Sequence, residues 1–211
     1  MEHYWDKLNM DIDEAIRILR TLPVSTVYES AGKVGDVAPS IRAMAPGMRL
    51  AGPAFTLKTM PGDNLSVFRA IHEAPAGSVL VIDGGDTERV TIWGGTSTTA
   101  AQAKGLAGCV TNASVRDLDE ILESGFPVFA PGTSIRGTTK SHPGWIGVPV
   151  AIGGAIVRPG DIMLGDSDGV MVLAVERIDE VVPAAVERRK KEQEKERRLR
   201  AGESVKSVQG F

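Results

Sequence analysis

A short stretch of this chain combines residue types that together can bind and activate a small organic acid. Gly95 is followed, after twenty intervening residues, by Arg116 and Asp117, and Glu120 lies one helical turn further on. Backbone N–H groups at a glycine turn bind anions, an arginine fork binds carboxylate or enolate oxygens, and an aspartate binds hard cations. These are the groups needed to hold a 2-keto acid and to stabilise its enolate.

The glycine turn is expected to end a strand and to open a helix. Residues 90–93 read as a strand and residues 96–104 read as a helix. The first N–H groups of a helix have no partner within it and favour an anion such as a carboxylate. An ordinary turn has the same composition, so that alternative stays open. The candidate substrate-binding residues of this turn are Gly94, Gly95, Thr96 and Ser97.

The Arg116-Asp117 pair is predicted to occupy the equivalent position after the next strand, residues 108–111. Ligands of a parallel α/β unit bind at the carboxyl ends of its strands. We therefore expect the pair on a loop adjacent to the glycine turn, at the start of a helix over residues 115–124. A charged pair at a helix end without further function is the alternative. Asn64 is a further candidate for the site, or else a turn residue beside a helix cap at Asp63.

The order of predicted elements indicates an α/β fold. Two helices are expected at the N-terminus, the first with a capping box at Asp11 and Glu14. A strand is expected between residues 48 and 60, and Pro53 suggests that this strand lies at an edge or begins there. From residue 63 to residue 130 helices and strands alternate, which is the order of a parallel core.

The second half of the chain follows a different pattern. After Gly132, short strands succeed one another without intervening helices, so we expect a mostly antiparallel layer or barrel wall. The final helix is predicted to start near Glu176, with Pro183 kinking it or marking its first turn. Its apolar stripe ends at Val186. Residues 187–200 are highly charged and predict a solvated helix, or alternatively an arm that lies over a neighbouring subunit.

Composition and charge narrow the classes of function. With 211 residues, 42% of them hydrophobic, we expect one domain over residues 1–211. A net charge of −3 gives no field suited to nucleic acid. No apolar run approaches the ~20 residues of a membrane span. A single free cysteine, Cys109, fits a reducing compartment, so we expect a soluble cytoplasmic protein without nucleic-acid or membrane partners.

Taken together, the motifs resemble those of the RraA-like family. The spacing Gly-X20-Arg-Asp-X2-Glu is preceded by Val81-Ile82-Asp83-Gly84-Gly85 and followed by Gly125-Phe126-Pro127-Val128-Phe129. The likeness includes Pro61-Gly62-Asp63-Asn64 and the run from Gly160 to Val170, and it extends from about residue 24 to about residue 182. The family resemblance implies a core at about 24–182 and leaves a charged helical arm at about 183–211. The family comprises the regulators of ribonuclease activity A and the class II 4-hydroxy-4-methyl-2-oxoglutarate aldolases.

This resemblance implies a compact, swivelling α/β/β sandwich or barrel with N-terminal helices and a C-terminal helical arm. It implies assembly as a homotrimer or a dimer of trimers, with sites at subunit boundaries. It also implies roles for the candidate residues. The glycine turn would bind the substrate carboxylate, Arg116 would be a catalytic and substrate-binding residue, and Asp117 would be a catalytic residue and the metal ligand, holding Mg²⁺ or Mn²⁺ largely through waters.

The implied activity is that of a metal-dependent carbon–carbon lyase that releases pyruvate from a small 2-keto acid through a metal-stabilised enolate. Aldol cleavage of 4-hydroxy-4-methyl-2-oxoglutarate and decarboxylation of oxaloacetate both pass through that enolate. The alternative within the family is a non-catalytic, protein-interaction regulator of the ribonuclease E inhibitor type. The chain departs from some aldolases at Gly95, where they carry an acidic residue that glycine cannot replace in proton transfer. A glutamate of a neighbour's arm takes part in some members, and Glu192 and Glu194 are the candidates here.

Overall fold

The computed structural model describes residues 9–85 and 87–211, and this part of the chain contains seven α-helices and twelve β-strands. The helices are α1 (Ile12–Leu19), α2 (Val24–Ser30), α3 (Leu65–Glu73), α4 (Gly95–Lys104), α5 (Leu118–Ser124), α6 (Ile178–Arg200) and α7 (Val205–Gln209). The strands are β1 (Arg42–Ala43), β2 (Leu50–Lys58), β3 (Val79–Asp83), β4 (Thr91–Trp93), β5 (Gly108–Thr111), β6 (Ser114–Val115), β7 (Val128–Ala130), β8 (Trp145–Ile146), β9 (Val150–Ile152), β10 (Ala155–Val157), β11 (Ile162–Asp166) and β12 (Gly169–Leu173). None of these helices is long and apolar enough to cross a membrane.

Eight of the strands form one mixed sheet that nearly closes on itself. Its order is β1, β7, β5, β3, β2, β11 and β12, and β8 pairs with the end of β2. The central strands β7, β5, β3 and β2 are parallel, whereas β1, β8, β11 and β12 join antiparallel. The end strands β1 and β12 contact each other. The predicted α/β barrel-like architecture is therefore confirmed, with the antiparallel wall formed mainly by the second half of the chain.

The expectation that Pro53 marks an edge strand or its entry was wrong. Pro53 lies inside β2, which is central in the sheet. Proline is tolerated there because β2 changes neighbours at this point. Residues 50–53 pair with β11, and residues 54–58 pair with β3. Proline lacks an N–H donor, and Pro53 lies where pairing with β11 ends and pairing with β3 begins, so neither set of strand hydrogen bonds is interrupted in its middle.

The two N-terminal helices are capped in different ways. The predicted cap of α1 is confirmed, because Asp11 Oδ1 accepts a hydrogen bond from the Glu14 N–H at 3.0 Å. Helix α2 has Pro23 at its N-cap, which offers no side-chain acceptor. Asp166, at the end of β11, supplies one instead: its Oδ2 accepts from the Val24 N–H at 2.9 Å. A residue distant in sequence therefore satisfies the first turn of α2.

Two apolar clusters hold the elements together. The larger one fills the interior of the sheet, where the ring of Trp93 stacks on Phe126 with 6.0 Å between centroids. The fully buried Phe129 packs against Gly165, where a Cβ would come within 2.9 Å of the ring. The smaller cluster joins α1, α2 and α6 to strands β11 and β12. The helices thus cover the outside of the antiparallel wall, whose apolar side chains would otherwise face water.

The long C-terminal helix begins close to its predicted start near Glu176, since a short 3-10 turn at Val175–Arg177 leads directly into α6 at Ile178. Pro183 lies inside the helix, which excludes the alternative that it marks the first turn. Part of its charged half also packs on its own chain. Glu192 accepts a hydrogen bond from the Thr26 hydroxyl at 2.8 Å. One of the two glutamates considered for a neighbour's site is therefore engaged within the described chain.

The contact between Asp166 and α2 leads to a test of stability. Asp166→Asn should lower the free energy of unfolding by about 1 kcal/mol, the typical contribution of a helix cap. The reason is that Asp166 accepts from both Val24 and Asp168, at 2.9 and 3.0 Å through different oxygens, and an amide has one acceptor oxygen. Urea unfolding of the two proteins measures the difference. An unchanged midpoint would show that solvent caps α2 equally well.

Candidate functional site

The candidate site is built on a small parallel sheet that is separate from the main one. Strand β4 pairs in parallel with β6, so that Trp93 lies beside Val115. Both strands end at the same edge, and the Arg116 N–H donates to the Trp93 carbonyl at 3.0 Å. The glycine turn and the Arg116-Asp117 pair are therefore adjacent, as expected. The strand that delivers Arg116 is β6, however, and not the predicted strand at residues 108–111.

Helix α5 begins later than predicted, and this changes how the charged pair is presented. The helix starts at Leu118, so Val115 to Asp117 are not helical. Asp117 is the N-cap residue and has a left-handed backbone conformation, with φ 55° and ψ 44°. Aspartate is one of the few residue types that adopts this conformation at modest cost, and such strain concentrates at functional sites. The turn directs the carboxylate of Asp117 towards the N-terminus of α4.

The Asp117 carboxylate contacts the first turn of α4. Its Oδ2 accepts a hydrogen bond from the Gly95 N–H at 3.1 Å and lies 3.5 Å from Arg116 Nε. The expectation that the Gly95 N–H is free was therefore wrong. The N–H groups of Thr96 and Ser97 have no acceptor within the described residues. Two donors at the positive end of the helix thus remain available to an anion.

Carboxylates crowd both positions of the glycine turn. A Cβ on Gly94 would come within 2.7 Å of Asp117 Oδ2. A Cβ on Gly95 would overlap with Glu120 Oε2. The carboxylate of Glu120, in the first turn of α5, therefore occupies the space into which a side chain at position 95 would project.

A small pocket brings most of the predicted site residues together. Its volume is about 90 Å³, which is small for a ligand pocket. Among the predicted residues, its wall contains Asn64, Gly94, Thr96, Ser97, Arg116 and Asp117. Gly95 is not part of the wall, since it lies behind Asp117. The other lining residues are Phe68, Thr91, Trp93, Thr138 and Lys140.

In that last group, the sequence suggested only Lys140, as a positive charge near the mouth of the site, with a solvated loop charge as the alternative. Phe68 lies one turn after Asn64 on α3, so helical periodicity could have placed it on the same face. Thr138 and Lys140 belong to a segment without regular secondary structure, and only the fold brings them to the pocket. Lys140 places its Nζ 5.0 Å from the centroid of the Phe68 ring. The pocket therefore has a second cation besides Arg116.

Asp63 joins the two elements that carry these extra residues. It is 3% exposed, and its carboxylate accepts from the Leu65 N–H, the Thr139 hydroxyl and the N–H groups of Ser141 and His142. Burial acts to raise the pKa of Asp63, but these hydrogen bonds favour the ionised form, and the net effect lowers the pKa below its ordinary value. Asp63 was predicted to cap α3, but Asn64 is the N-cap residue; Asp63 accepts from the Leu65 N–H and links α3 to the segment at residues 138–142.

The carboxylates of the site fit a hard divalent cation. Asp117 Oδ1 and the carboxylate of Glu120 accept no hydrogen bond from the described residues, and both side chains flank Gly95. In the part of the chain that the structure describes, no group of three His, Cys, Asp or Glu residues could surround a metal. Mg²⁺ is commonly held by one or two carboxylates, with waters and substrate completing its shell. The donor set here matches that pattern.

Substitution of Gly95 tests whether the Glu120 carboxylate beside it contributes to metal binding. Gly95→Ala should weaken Mn²⁺ binding about as much as Glu120→Gln does, because the new methyl group displaces the Glu120 carboxylate. The free energy of unfolding should change by less than ~1 kcal/mol, since a flexible side chain can rotate away. Mn²⁺ titration of both variants and of the double variant measures this. In the double variant the effects should not add; full additivity would mean that the two residues act independently.

The lowered pKa of Asp63 predicts a pH-dependent contribution to stability. A carboxyl group with a folded-state pKa below the unfolded value of about 3.9 stabilises the protein fully above that value, and this contribution is lost as pH falls through the folded pKa. The difference in melting temperature between the wild type and Asp63→Asn should therefore be largest above about pH 5 and shrink below about pH 4. Thermal unfolding at several pH values measures it. A constant difference would assign the effect to packing alone.

Comparison with known proteins shows relatives of the same fold. A family model described as RraA-like, Aldolase/RraA matches residues 19–172. A protein of Halalkalibacterium halodurans, provisionally named 4-hydroxy-4-methyl-2-oxoglutarate aldolase, is 34% identical over 91% of this chain and 90% of its own length. Solved structures show the same similarity. The structure of Streptomyces coelicolor RraAS2, described as an unusual member of the RNase ES inhibitor RraA protein family, has a TM-score of 0.80 at 27% identity. The match covers 88% of this chain and 98% of that one. Thermus thermophilis RraA, described as an RNA-processing inhibitor, has a TM-score of 0.66 at 29% identity, covering 72% and 92%. The chain therefore belongs to the RraA-like family.

Proposed function

We propose that the protein is a divalent-metal-dependent lyase that cleaves a carbon–carbon bond of a 2-keto acid and releases pyruvate. One observation carries the proposal: a single small pocket combines two unpaired N–H groups, the Arg116 guanidinium and the Asp117 carboxylate. A 2-keto acid presents a carboxylate beside a carbonyl. The pocket offers complementary groups for both, and for the charge that develops when the bond breaks.

The substrate carboxylate would bind at the start of α4. The N–H groups of Thr96 and Ser97 donate to it, and the helix dipole favours the negative charge. The Arg116 guanidinium lies across the turn, 47% exposed, and can donate two parallel hydrogen bonds to carboxylate and keto oxygens. Lys140, which also lines the pocket, can meet a second carboxylate of the substrate. Asn64 can donate or accept a further hydrogen bond.

Asp117 and Glu120 are the residues that would hold Mg²⁺ or Mn²⁺, partly through waters. When bound, such an ion supplies a Lewis acid that polarises the keto group of the substrate. Arg116 Nε lies 3.5 Å from Asp117 Oδ2, so the positive charge of the guanidinium partly offsets the negative charge of this carboxylate. This arrangement is one of the reasons why we favour an enzyme over a protein without catalytic function.

The reaction follows from the charge that the pocket can stabilise. When the C3–C4 bond breaks, its electron pair moves into the C2–C3 bond and the keto oxygen becomes an enolate. In aldol cleavage the C4 hydroxyl loses its proton and becomes a carbonyl; in oxaloacetate decarboxylation CO₂ leaves instead. Arg116 stabilises the enolate oxygen. In the proposal, Glu120, whose carboxylate lies beside Gly95, would accept the hydroxyl proton in aldol cleavage and return it to C3. In decarboxylation C3 would take its proton from water, and both routes give pyruvate.

The names of relatives support this class of reaction. Relatives at 34% and 38% identity are provisionally named 4-hydroxy-4-methyl-2-oxoglutarate aldolases. We extend that substrate, or oxaloacetate, to this chain as part of the proposal. Structural relatives described as ribonuclease inhibitors favour the second candidate, a protein-interaction regulator without catalytic turnover. The pocket favours the enzyme, because a regulator would not need the Asp117 carboxylate and the Arg116 guanidinium beside two N–H groups that have no acceptor among the described residues.

The family resemblance also leads us to propose a cytoplasmic homo-oligomer, a trimer or a dimer of trimers, formed by one domain over residues 1–211. The charged end of α6 and helix α7 are the parts of the arm that extend beyond α2. Glu194 pairs with Arg197 on the exposed side of α6, with 2.7 Å between the charged atoms. It is therefore accessible to a neighbouring subunit, in contrast to Glu192.

Pyruvate release tests the proposed function. The purified protein should release pyruvate from oxaloacetate, from 4-hydroxy-4-methyl-2-oxoglutarate or from both when Mg²⁺ is present, and EDTA should abolish the release. Asp117→Ala should lower kcat/KM by about 100-fold or more, because it removes a metal ligand. A coupled assay with lactate dehydrogenase measures pyruvate directly. Absence of release from both substrates would leave the regulator as the better reading.

Matched variants show which group is responsible. Asp119→Asn changes an exposed carboxylate in the same turn of α5 and should leave kcat/KM unchanged. Glu120→Gln should reduce aldol cleavage more than oxaloacetate decarboxylation, since decarboxylation releases no hydroxyl proton. Arg116→Lys keeps the charge but loses the planar fork, and should retain only part of the activity. Activity of Asp117→Ala equal to that of Asp119→Asn would contradict the metal role.

A further inference from the structure

Asp63 is the most heavily hydrogen-bonded carboxylate near the pocket, yet it does not line it. Its Oδ1 accepts from the Leu65 N–H at 3.1 Å, in the first turn of α3. Its Oδ2 accepts from the Thr139 hydroxyl at 2.8 Å and from the N–H groups of Ser141 and His142 at 2.6 and 3.1 Å. One buried side chain thus joins a helix to a segment that lies more than seventy residues later.

The two elements that Asp63 joins both carry pocket residues. Helix α3 carries Phe68 and is preceded directly by Asn64, and the segment at residues 138–142 carries Thr138 and Lys140. Residues 138–142 belong to no helix or regular strand of the described chain. Further backbone contacts add to the joint: the Asn64 N–H donates to the Thr139 carbonyl at 3.0 Å, and the Thr139 N–H donates to the Gly62 carbonyl at 2.7 Å. The position of Lys140 in the pocket therefore depends on this joint.

We propose that Asp63 is a positioning residue that holds the segment at residues 138–142 against α3, so that Lys140 and Asn64 are in place before the substrate binds. The proposal rests on the proposed function for its kinetic consequence, although the structural joint is independent of it. The charge matters because Oδ2 alone accepts three hydrogen bonds and Oδ1 accepts a fourth. An asparagine at this position has one acceptor oxygen, so its amide group would face donors that it cannot satisfy.

Kinetics with oxaloacetate distinguish positioning from simple stabilisation. Asp63→Asn should raise KM by about 10-fold or more with a smaller change in kcat. The reason is that Lys140 and Asn64 would bind the substrate and the transition state about equally, and both would be displaced. Asp166→Asn is the matched control, since it also removes a buried carboxylate that accepts two backbone N–H groups, at the opposite end of β2. It should lower the melting temperature and leave KM unchanged. If Asp63→Asn also lowers only the melting temperature, the proposal is wrong.

A double-mutant cycle tests whether Asp63 acts through Lys140. Lys140→Ala should raise KM about 10-fold in the wild type but less than about 3-fold in the Asp63→Asn background, where the lysine is already displaced. Equal effects in both backgrounds would contradict the coupling. Should Asp63→Asn fail to fold, Thr139→Val removes a single donor and leaves the charged acceptor with its backbone partners. That variant should raise KM about 2- to 3-fold.

Amide hydrogen exchange separates this proposal from the proposed function. In Asp63→Asn the amides of Ser141 and His142 should exchange at least 10-fold faster than in the wild type, whereas the amides of β3 should not change. This result does not require that the protein turns over any substrate. If the wild-type protein releases no pyruvate, the proposed lyase activity is wrong, but hydrogen exchange can still test whether Asp63 holds residues 138–142. Unchanged exchange at residues 141 and 142 would refute the joint itself.

Discussion

The hydrogen bond from the Gly95 N–H to Asp117 fixes the relation between the two loops on which the site depends. The glycine at position 94 leaves room for this contact, since a Cβ there would come within 2.7 Å of Asp117 Oδ2. The bond places the Asp117 carboxylate at the positive end of α4, and the next two N–H groups of the helix have no acceptor among the described residues. Trp93 and Val115, which precede the two loops, are buried in the larger apolar cluster.

Buried aspartates connect parts of the chain that lie far apart in sequence. Asp166 caps α2 from the end of β11, and Asp63 joins α3 to the segment at residues 138–142. Asp161 accepts from the backbone of Arg158 and Val175. Burial raises the pKa of Asp161, whereas four hydrogen bonds outweigh burial and lower the pKa of Asp63. Asp63 accepts more hydrogen bonds than Asp161, and each of these bonds stabilises the ionised form of the carboxylate.

Much of the fold could be predicted because apolar periodicity and turn residues are local signals. The alternation of helices and strands before residue 130 and the antiparallel strands after it were both correct. The start of α5 was missed because Asp117 adopts a left-handed conformation that the preceding Val115-Arg116 pattern does not reveal. The central position of Pro53 was missed because it depends on where β2 exchanges one neighbour for another. The first error concerns the backbone conformation of one residue, and the second concerns pairing with distant strands.

The sequence by itself determined the chemical types at the site: a glycine turn, an arginine, an aspartate and a glutamate at fixed spacing. It also determined that the two loops follow strands, because local patterns encode both strands and turns. Only the tertiary structure decided that Glu120 fills the space beside Gly95, that Lys140 closes the pocket and that Asp63 holds it there. These relations are contacts between segments separated by 25 to 78 residues, and their distances follow from packing and not from local propensity.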